Sequence, residues 1–228
     1  MKDIQKLKDA KAFLFDLDGT LLDSMWLWNE VDVRFFQKRG LTLPEGFINH
    51  IAVMRLKDAA EDTVKTFSLK ETPQQIIEEW LEEGRKLYAE RVTCKPFAKE
   101  FLRLARSLGK KTAVVTAGEP RLFLPCLQKH GIASGFDEIV TLHHVNRGKD
   151  HPDIYLYAAQ SLGCTAGECV VFEDVPQALQ TAKTAGFYTV GILDEVTKED
   201  SQPFADECIV SFEEAYHALQ QAYASVET

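Results

Sequence analysis

An α/β fold is the class this sequence predicts: a doubly wound, mainly parallel sheet interrupted by an all-helical insertion. Three observations carry it. Short apolar strands alternate with helical patterns from Pro96 onward, the rhythm of β-α units. A single strand-like run, Lys11–Phe15, stands far ahead of them. Helical periodicity fills the interval between, residues 24–94. The simplest account makes Lys11–Phe15 a strand of the later sheet and the helical block an insertion into it.

Each element has its own signal. In the insertion, Trp28, Val31 and Phe35 repeat at helix spacing, as do Leu56, Ala60, Val64 and Phe67. Ile76, Ile77, Trp80, Leu81, Leu87 and Tyr88 form a third stripe. Thr72 precedes it as N-cap, Pro73 occupies its first turn, and Gln75 completes a capping box. Aromatic stripes of this kind read as the core of a helical subdomain. Beyond Pro96 the spacing predicts a helix near Phe97–Leu108, a strand Thr112–Val115, and a helix from Pro120 to Gly131. A strand at Glu138–Thr141, a helix Ile154–Leu162 and a fully apolar strand Cys169–Phe172 come next. A helix through Ala178–Ala185, a strand Phe187–Ile192, a strand Cys208–Val210 and a terminal helix opening at Ser211 complete the series. The expected organisation is a Rossmann-like core, residues 1–23 and 95–228, with a helical domain at 24–94.

Composition narrows the function. The chain has 228 residues, 45% hydrophobic and 27% charged, with a formal net charge of −9. That balance disfavours nucleic acid and anionic membranes as partners. No apolar run approaches the roughly 20 residues of a membrane helix, and the N-terminal residues lack the apolar stretch of a signal peptide. Five scattered cysteines with no Cys-x-x-Cys pair read as reduced, mostly buried residues of a cytoplasmic protein. Oligomeric state is not legible.

The richest segment is Phe13-Leu-Phe-Asp16-Leu-Asp18-Gly19-Thr20-Leu-Leu-Asp23-Ser24. Residues i and i+2 of a strand share a side, so Asp16 and Asp18 leave the strand end toward one point. Two like charges aimed together repel unless a cation or shared proton intervenes. An Asp-x-Asp-Gly surface turn is the plainer alternative. Ligands of open α/β sheets bind at the carboxyl ends of strands, and three further groups stand at such ends. Thr116 introduces Ala117-Gly118-Glu119-Pro120, whose hydroxyl and free N–H groups suit an oxyanion or simply cap a helix. Lys149 lies in a polar loop with Arg147 as a competing cation. Glu173 and Asp174 end the most apolar strand; they read as hard oxygen ligands for Mg²⁺ or as a helix N-cap. His143 and His144 are adjacent, a spacing that does not suit zinc.

Asp16-Leu17-Asp18-Gly19-Thr20-Leu21, Thr116, Lys149 and Glu173-Asp174 match, in order and spacing, four motifs of the haloacid dehalogenase-like phosphohydrolases. The insertion resembles that of the β-phosphoglucomutase and phosphoglycolate phosphatase subgroup, as a helical cap domain. The resemblance implies Asp16 as nucleophile and Asp18 as general acid, then base. It implies Thr116, Ala117 and Lys149 as phosphate-binding groups. Mg²⁺ would be held by Asp16, the Asp18 carbonyl, Asp174, and Glu173 directly or through water. The expected activity is hydrolysis of a small phosphorylated sugar- or polyol-like metabolite through an aspartyl-phosphate. A sugar-phosphate mutase is the alternative, and a non-catalytic binding protein a more distant one. Dehalogenases and phosphonatases lack the second acid, present here as Asp18. The mutases carry a His shortly after the first motif, where this chain has Asp23-Ser24-Met25-Trp26-Leu27-Trp28. In the insertion, Arg55 and His50 are placed to reach the distal end of a substrate, with a solvent-exposed Arg55 as the other option.

Overall fold

The computed structural model describes residues 3–44, 46–52, 54, 56–193 and 204–224. Two compact units result: Met1–Ser24 with Thr93–Pro120 and Leu127–Thr228, and Met25–Val92 with Arg121–Cys126.

The first unit is built on a six-stranded, all-parallel sheet. In chain order its strands are β1 (Ala12–Phe15), β4 (Lys111–Thr116), β5 (Glu138–Thr141), β6 (Cys169–Glu173), β7 (Tyr188–Ile192) and β8 (Glu207–Ile209). They lie in the order β5-β4-β1-β6-β7-β8. The isolated N-terminal strand is therefore central: Phe15 stands opposite Val114 on one side and Phe172 on the other. Central strands of a parallel sheet are covered on both faces, so β1, β6 and most of β4 are apolar runs.

Side-chain alternation divides the core between the two faces. Phe13, Phe15 and Phe172 point one way and meet Phe101 of helix α6 (Ala98–Ser107) and Phe212 of α10 (Phe212–Ala224). Phe15 and Phe172 stack at 5.0 Å between ring centres. Ala12, Leu14, Val115 and Val171 point the other way. They pack against Ile154, Tyr155 and Ala158 of α8 (Asp153–Ser161) and Ala178 and Ala182 of α9 (Pro176–Thr184). Asp16 and Glu173 follow Leu14 and Val171 by two residues, so strand parity continues them on the α8 side. The helix at Pro120 is α7 (Pro120–Lys129). Gly163 and Gly186 stop α8 and α9 with φ of 67° and 92°, a left-handed turn that a Cβ would strain.

Two short strands, β2 (Leu22–Asp23) and β3 (Thr93–Cys94), pair antiparallel where the chain leaves the sheet unit and returns to it. Between them lies the helical unit, with α2 (Leu27–Lys38), α3 (Phe47–Ala52), α4 (Leu56–Thr66) and α5 (Pro73–Glu90). Thr72 caps α5 through the capping box with Gln75. The unit's core is aromatic: Phe36 meets Phe47 and Phe67, and Phe35 meets Trp80. The helical stripes are not core throughout. Trp28 is 41% exposed, although its ring tip lies against Gly84 of α5, and Leu56 is 39% exposed; both border a cavity open at the surface. Among the described residues no helix is long and apolar enough to cross a membrane. All five cysteines are free, two buried and three half-buried.

Candidate active site

The site forms at the carboxyl edge of the sheet, where β1 and β6 run side by side. The Asp16 N–H donates to the Phe172 carbonyl at 2.9 Å, extending the ladder one residue past β1. That register places Asp16 beside Glu173, and Asp174 follows. Carboxylate oxygens of Asp16, Glu173 and Asp174 lie within 4.8 Å of one another, all three residues buried. Lys149 comes from the loop before α8, the helix on the same face of the sheet. Its ammonium donates to Asp16 and lies 3.3 Å from both Glu173 oxygens. The lysine side chain is only 13% exposed. Arg147, the competing cation, turns outward and pairs with Asp153 at 2.8 Å. Two residues of spacing separate the roles: one cation enters the cluster and the other closes the loop.

Three carboxylates and one ammonium leave the cluster two negative charges in excess if all are ionised, and the ionisations show it. Burial, then the Asp16 charge, push Glu173 well above the usual carboxylate range, with Lys149 acting against them. Burial and Asp16 push Asp174 up to about 7, opposed by the hydrogen bond from Thr20. Burial works against the charge on Lys149, yet Asp16 and Glu173 outweigh it and raise its pKa. Such a set favours a bound cation, since a divalent ion compensates the excess and removes the mutual repulsion. All-oxygen donors on a hard-acid pattern fit a divalent metal.

The remaining first-motif residues are also held. Gly19 turns with φ of 85° and donates its N–H to Leu22, folding the chain back after Asp18. The Ser24 hydroxyl donates to the Asp18 carboxylate at 2.6 Å, and that of Thr20 to Asp174 at 3.1 Å. Asp18 is only half-buried and stands outside the three-carboxylate group. Thr116 is buried at the end of β4, and its hydroxyl accepts the Gly118 N–H at 2.9 Å, an ST-turn that shapes the following loop. Ala117, next to it, is exposed. Arg55 lies outside the described residues. His50 sits on α3 with its Nε2 3.3 Å from Asp62. His143 and His144 part company as their adjacency requires, one toward Glu119 and the other onto Thr141.

Sequence reasoning passed over three participants. Thr20 and Ser24 carry the orienting hydroxyls, and both lie inside the motif that was read for its acids alone. Tyr155 is fully buried beneath the cluster; its ring stands 5.8 Å from the Lys149 ammonium and its hydroxyl has no hydrogen-bond partner. Burial, with the charges of Glu173, Asp16 and Asp174, raises its pKa well above the usual phenol. Its signal was the aromatic residue one turn into a helix that starts just after Lys149.

A parallel sheet gathers buried acids around one lysine at its carboxyl edge, the place where ligands of open α/β folds bind. The chain belongs to the haloacid dehalogenase-like hydrolases, whose sequence model matches residues 13–192. It is similar to hexitol phosphatase A of Escherichia coli (strain K12), 33% identical over 188 residues, 80% of this chain and 83% of that one. It is also similar to validoxylamine A 7'-phosphate phosphatase of Streptomyces hygroscopicus subsp. limoneus, 28% identical over 196 residues, 86% of this chain and 90% of the relative. In fold it resembles the crystal structure of β-phosphoglucomutase from Clostridium difficile, with a TM-score of 0.71 at 19% identity over 95% of this chain and 98% of that chain.

Proposed function

We propose that this hydrolase is a Mg²⁺-dependent phosphatase of a small phosphorylated sugar or polyol, working through an aspartyl-phosphate on Asp16. The observation that carries the reading is the buried Asp16–Lys149–Glu173–Asp174 cluster at the carboxyl ends of β1 and β6. An Asp16 oxygen attacks phosphorus, and the bond from phosphorus to the alcohol oxygen breaks. Asp18 gives that oxygen its proton as the alcohol leaves. It then takes one from the water that attacks the aspartyl-phosphate, releasing inorganic phosphate and restoring Asp16. Asp18 suits a mobile proton carrier because it is half-buried and outside the carboxylate group, steadied by Ser24. Lys149 neutralises charge between nucleophile and phosphate, with Thr116 and the Ala117 N–H holding phosphate oxygens. Asp16, the Asp18 carbonyl, Asp174 and Glu173 would hold Mg²⁺, which supplies charge neutralisation for the dianionic ester. In this reading residues 24–94 act as a cap domain that sets specificity.

The sugar and polyol class rests on the relatives, two of which are by name a hexitol phosphatase and a phosphorylated carbohydrates phosphatase. The deciding assay is phosphate release across sugar, polyol and nucleotide monophosphates, with Mg²⁺ and with EDTA. Metal-dependent release from hexitol or hexose phosphates is expected. Given a hexose 1-phosphate with a 1,6-bisphosphate primer, release should outrun isomerisation, since no His follows the first motif at Asp23–Trp28. Faster isomerisation would make the enzyme a mutase, and full activity after extensive dialysis against EDTA would sink the metal assignment.

A further inference from the structure

Two of the five cysteines, Cys164 and Cys169, flank a turn that phosphate chemistry does not use. Gly163 ends α8 in the left-handed region, and Cys164 follows it. One 3₁₀ turn comes next, Ala166–Glu168, with Thr165 as its N-cap. The Glu168 carboxylate reaches back to Thr165, accepting its N–H at 2.9 Å and its hydroxyl at 3.0 Å. The Glu168 N–H donates to the Thr165 carbonyl at 3.1 Å, and the Cys169 N–H donates to that of Ala166. A capping box of this kind brings together the residue before the cap and the one after the box, where two apolar side chains often form a staple. In this chain both staple positions are cysteines.

The side chains follow the backbone. The Cys169 thiol turns back and donates to the Thr165 carbonyl at 3.3 Å, the carbonyl of the residue next to Cys164. Both cysteines belong to the apolar cluster that joins the sheet to α8 and α9. Their surroundings differ: Cys169 is 1% exposed, and Cys164 is half-buried. Burial first, and then the neighbouring Cys164 thiol, push the Cys169 thiol up to about 12. The Lys11 ammonium pairs with Glu168 at 2.6 Å and stands within electrostatic reach of Cys164. A thiol that solvent reaches, beside a cation, suits attack; a buried thiol next to it suits the second, resolving step.

We propose that Cys164 and Cys169 form a dithiol modification site that a peroxide converts to an intramolecular disulfide. The Cys164 thiolate attacks one peroxide oxygen and the O–O bond breaks. The other oxygen leaves as hydroxide and takes up the proton Cys164 released, giving water and a sulfenic acid on Cys164. The Cys169 sulfur then attacks the Cys164 sulfur, the S–O bond breaks, and the hydroxyl leaves with the Cys169 proton as a second water. Two thiols are oxidised and one peroxide is reduced. Cys169 is the first residue of β6 and Glu173 the last, roughly 13 Å apart at about 3.3 Å per residue. The dithiol therefore stands at the sheet edge away from the carboxylates, and its chemistry is independent of the phosphatase reading.

Tryptic cleavage after Lys149 and Lys183 leaves both cysteines on one peptide, 150–183, and puts Cys94, Cys126 and Cys208 on three others. The full chain is treated with a small molar excess of hydrogen peroxide, unfolded in urea with N-ethylmaleimide, digested and read by mass spectrometry. Peptide 150–183 should lose two hydrogens and carry no maleimide, while the other three cysteines stay alkylated. Dithiothreitol before alkylation should restore both adducts. With dimedone present, Cys169→Ser should trap a sulfenic acid on Cys164, and Cys164→Ser should leave Cys169 a free thiol. Circular dichroism checks that both variants fold, and the wild-type digest decides the site without them. A peptide 150–183 that keeps both adducts after peroxide would overturn the site, as would a disulfide from either cysteine to a third cysteine or to another chain. A sulfenic acid on Cys169 in the Cys164→Ser protein would overturn the order of attack.

Discussion

The sheet unit holds one group of charges in its interior, whereas most ion pairs of the helical unit lie nearer the surface. In the sheet unit, Asp16, Glu173, Asp174 and Lys149 are driven into the interior, where burial and the Asp16 charge make Glu173 and Asp174 resist ionisation. In the helical unit, Arg34, Lys38, Arg85 and Arg91 meet glutamates in pairs that stay partly open to water, and only Arg39, set between Glu71 and Glu79, is sheltered. Exposed pairs of that kind contribute about 0–1 kcal/mol each. A buried pair broken from one side costs about 3–5 kcal/mol. The contrast separates chemistry from solubility: charge that is expensive to hold marks the site, and inexpensive charge marks a surface.

Perturbation should scale in the same order. Asp16→Asn is expected to abolish phosphate release, and Asp18→Asn to lower kcat about 10²–10⁴-fold, the usual worth of general acid–base catalysis. Substantial turnover of the Asp16→Asn enzyme, in a preparation free of contaminating phosphatase, would reassign the nucleophile. Lys149→Met should remove activity and lower unfolding stability by about 3–5 kcal/mol in EDTA, measured in urea, with part of the loss restored by Mg²⁺. A loss below 1 kcal/mol would mean that the buried pair behaves like a surface one.

The carboxylates also set a pH dependence. Asp174 has a folded pKa of about 7, above that of an unfolded aspartate, so between about pH 4 and 7 the folded state holds more protons than the unfolded. Stability of the metal-free protein from this group is therefore fullest below about pH 4 and is lost as pH rises toward 7. Saturating Mg²⁺ should flatten that slope, because it takes the place of the proton. Urea midpoints across this range, with and without metal, test it; a slope of the opposite sign in EDTA would contradict the buried-acid account.

Smaller effects belong to the helical unit. Thr72→Ala should cost about 1 kcal/mol by removing the capping box. Lys38→Ala, which breaks an exposed pair with Glu79 at 3.0 Å, should change stability by about 0.5 kcal/mol or less. Equal losses from these two variants would blur the distinction between a specific cap and a solvated charge.

Much of this was legible in the residues, and unevenly so. Strand and helix positions in the sheet unit follow from apolar runs and glycine stops, because Gly163 and Gly186 end helices for a local reason that sequence spacing reveals. That Lys11–Phe15 joins the later sheet was readable from its apolar run; its central place between β4 and β6 was not. Which cation enters the cluster was not readable from the loop alone, where Arg147 and Lys149 compete, and only the family resemblance named Lys149; the start of α8 draws Arg147 to Asp153. Nor did helical periodicity distinguish Trp28 and Leu56, at a cavity rim, from Val31 and Phe35 in the core. Periodicity records which face of a helix is apolar, not whether a neighbour fills the space beside it.

One small feature reaches further than its size. The ribbon of β2 and β3 brings the two ends of the insertion together, Leu22 opposite Cys94 and Asp23 opposite Thr93, and the Lys95 N–H closes onto the Leu21 carbonyl at 2.8 Å. Closing such a segment costs entropy that grows only slowly with its length, about 0.6 kcal/mol per doubling. Excising residues 25–92 and joining the ribbon through a two-residue turn would leave the register of the sheet undisturbed at that point. The same socket would accept a helical block from another source. Seen as an engineering joint, the ribbon makes residues 25–92 an exchangeable segment at its chain ends, with Arg121–Cys126 of α7 the further stretch that a replacement block would have to pack against.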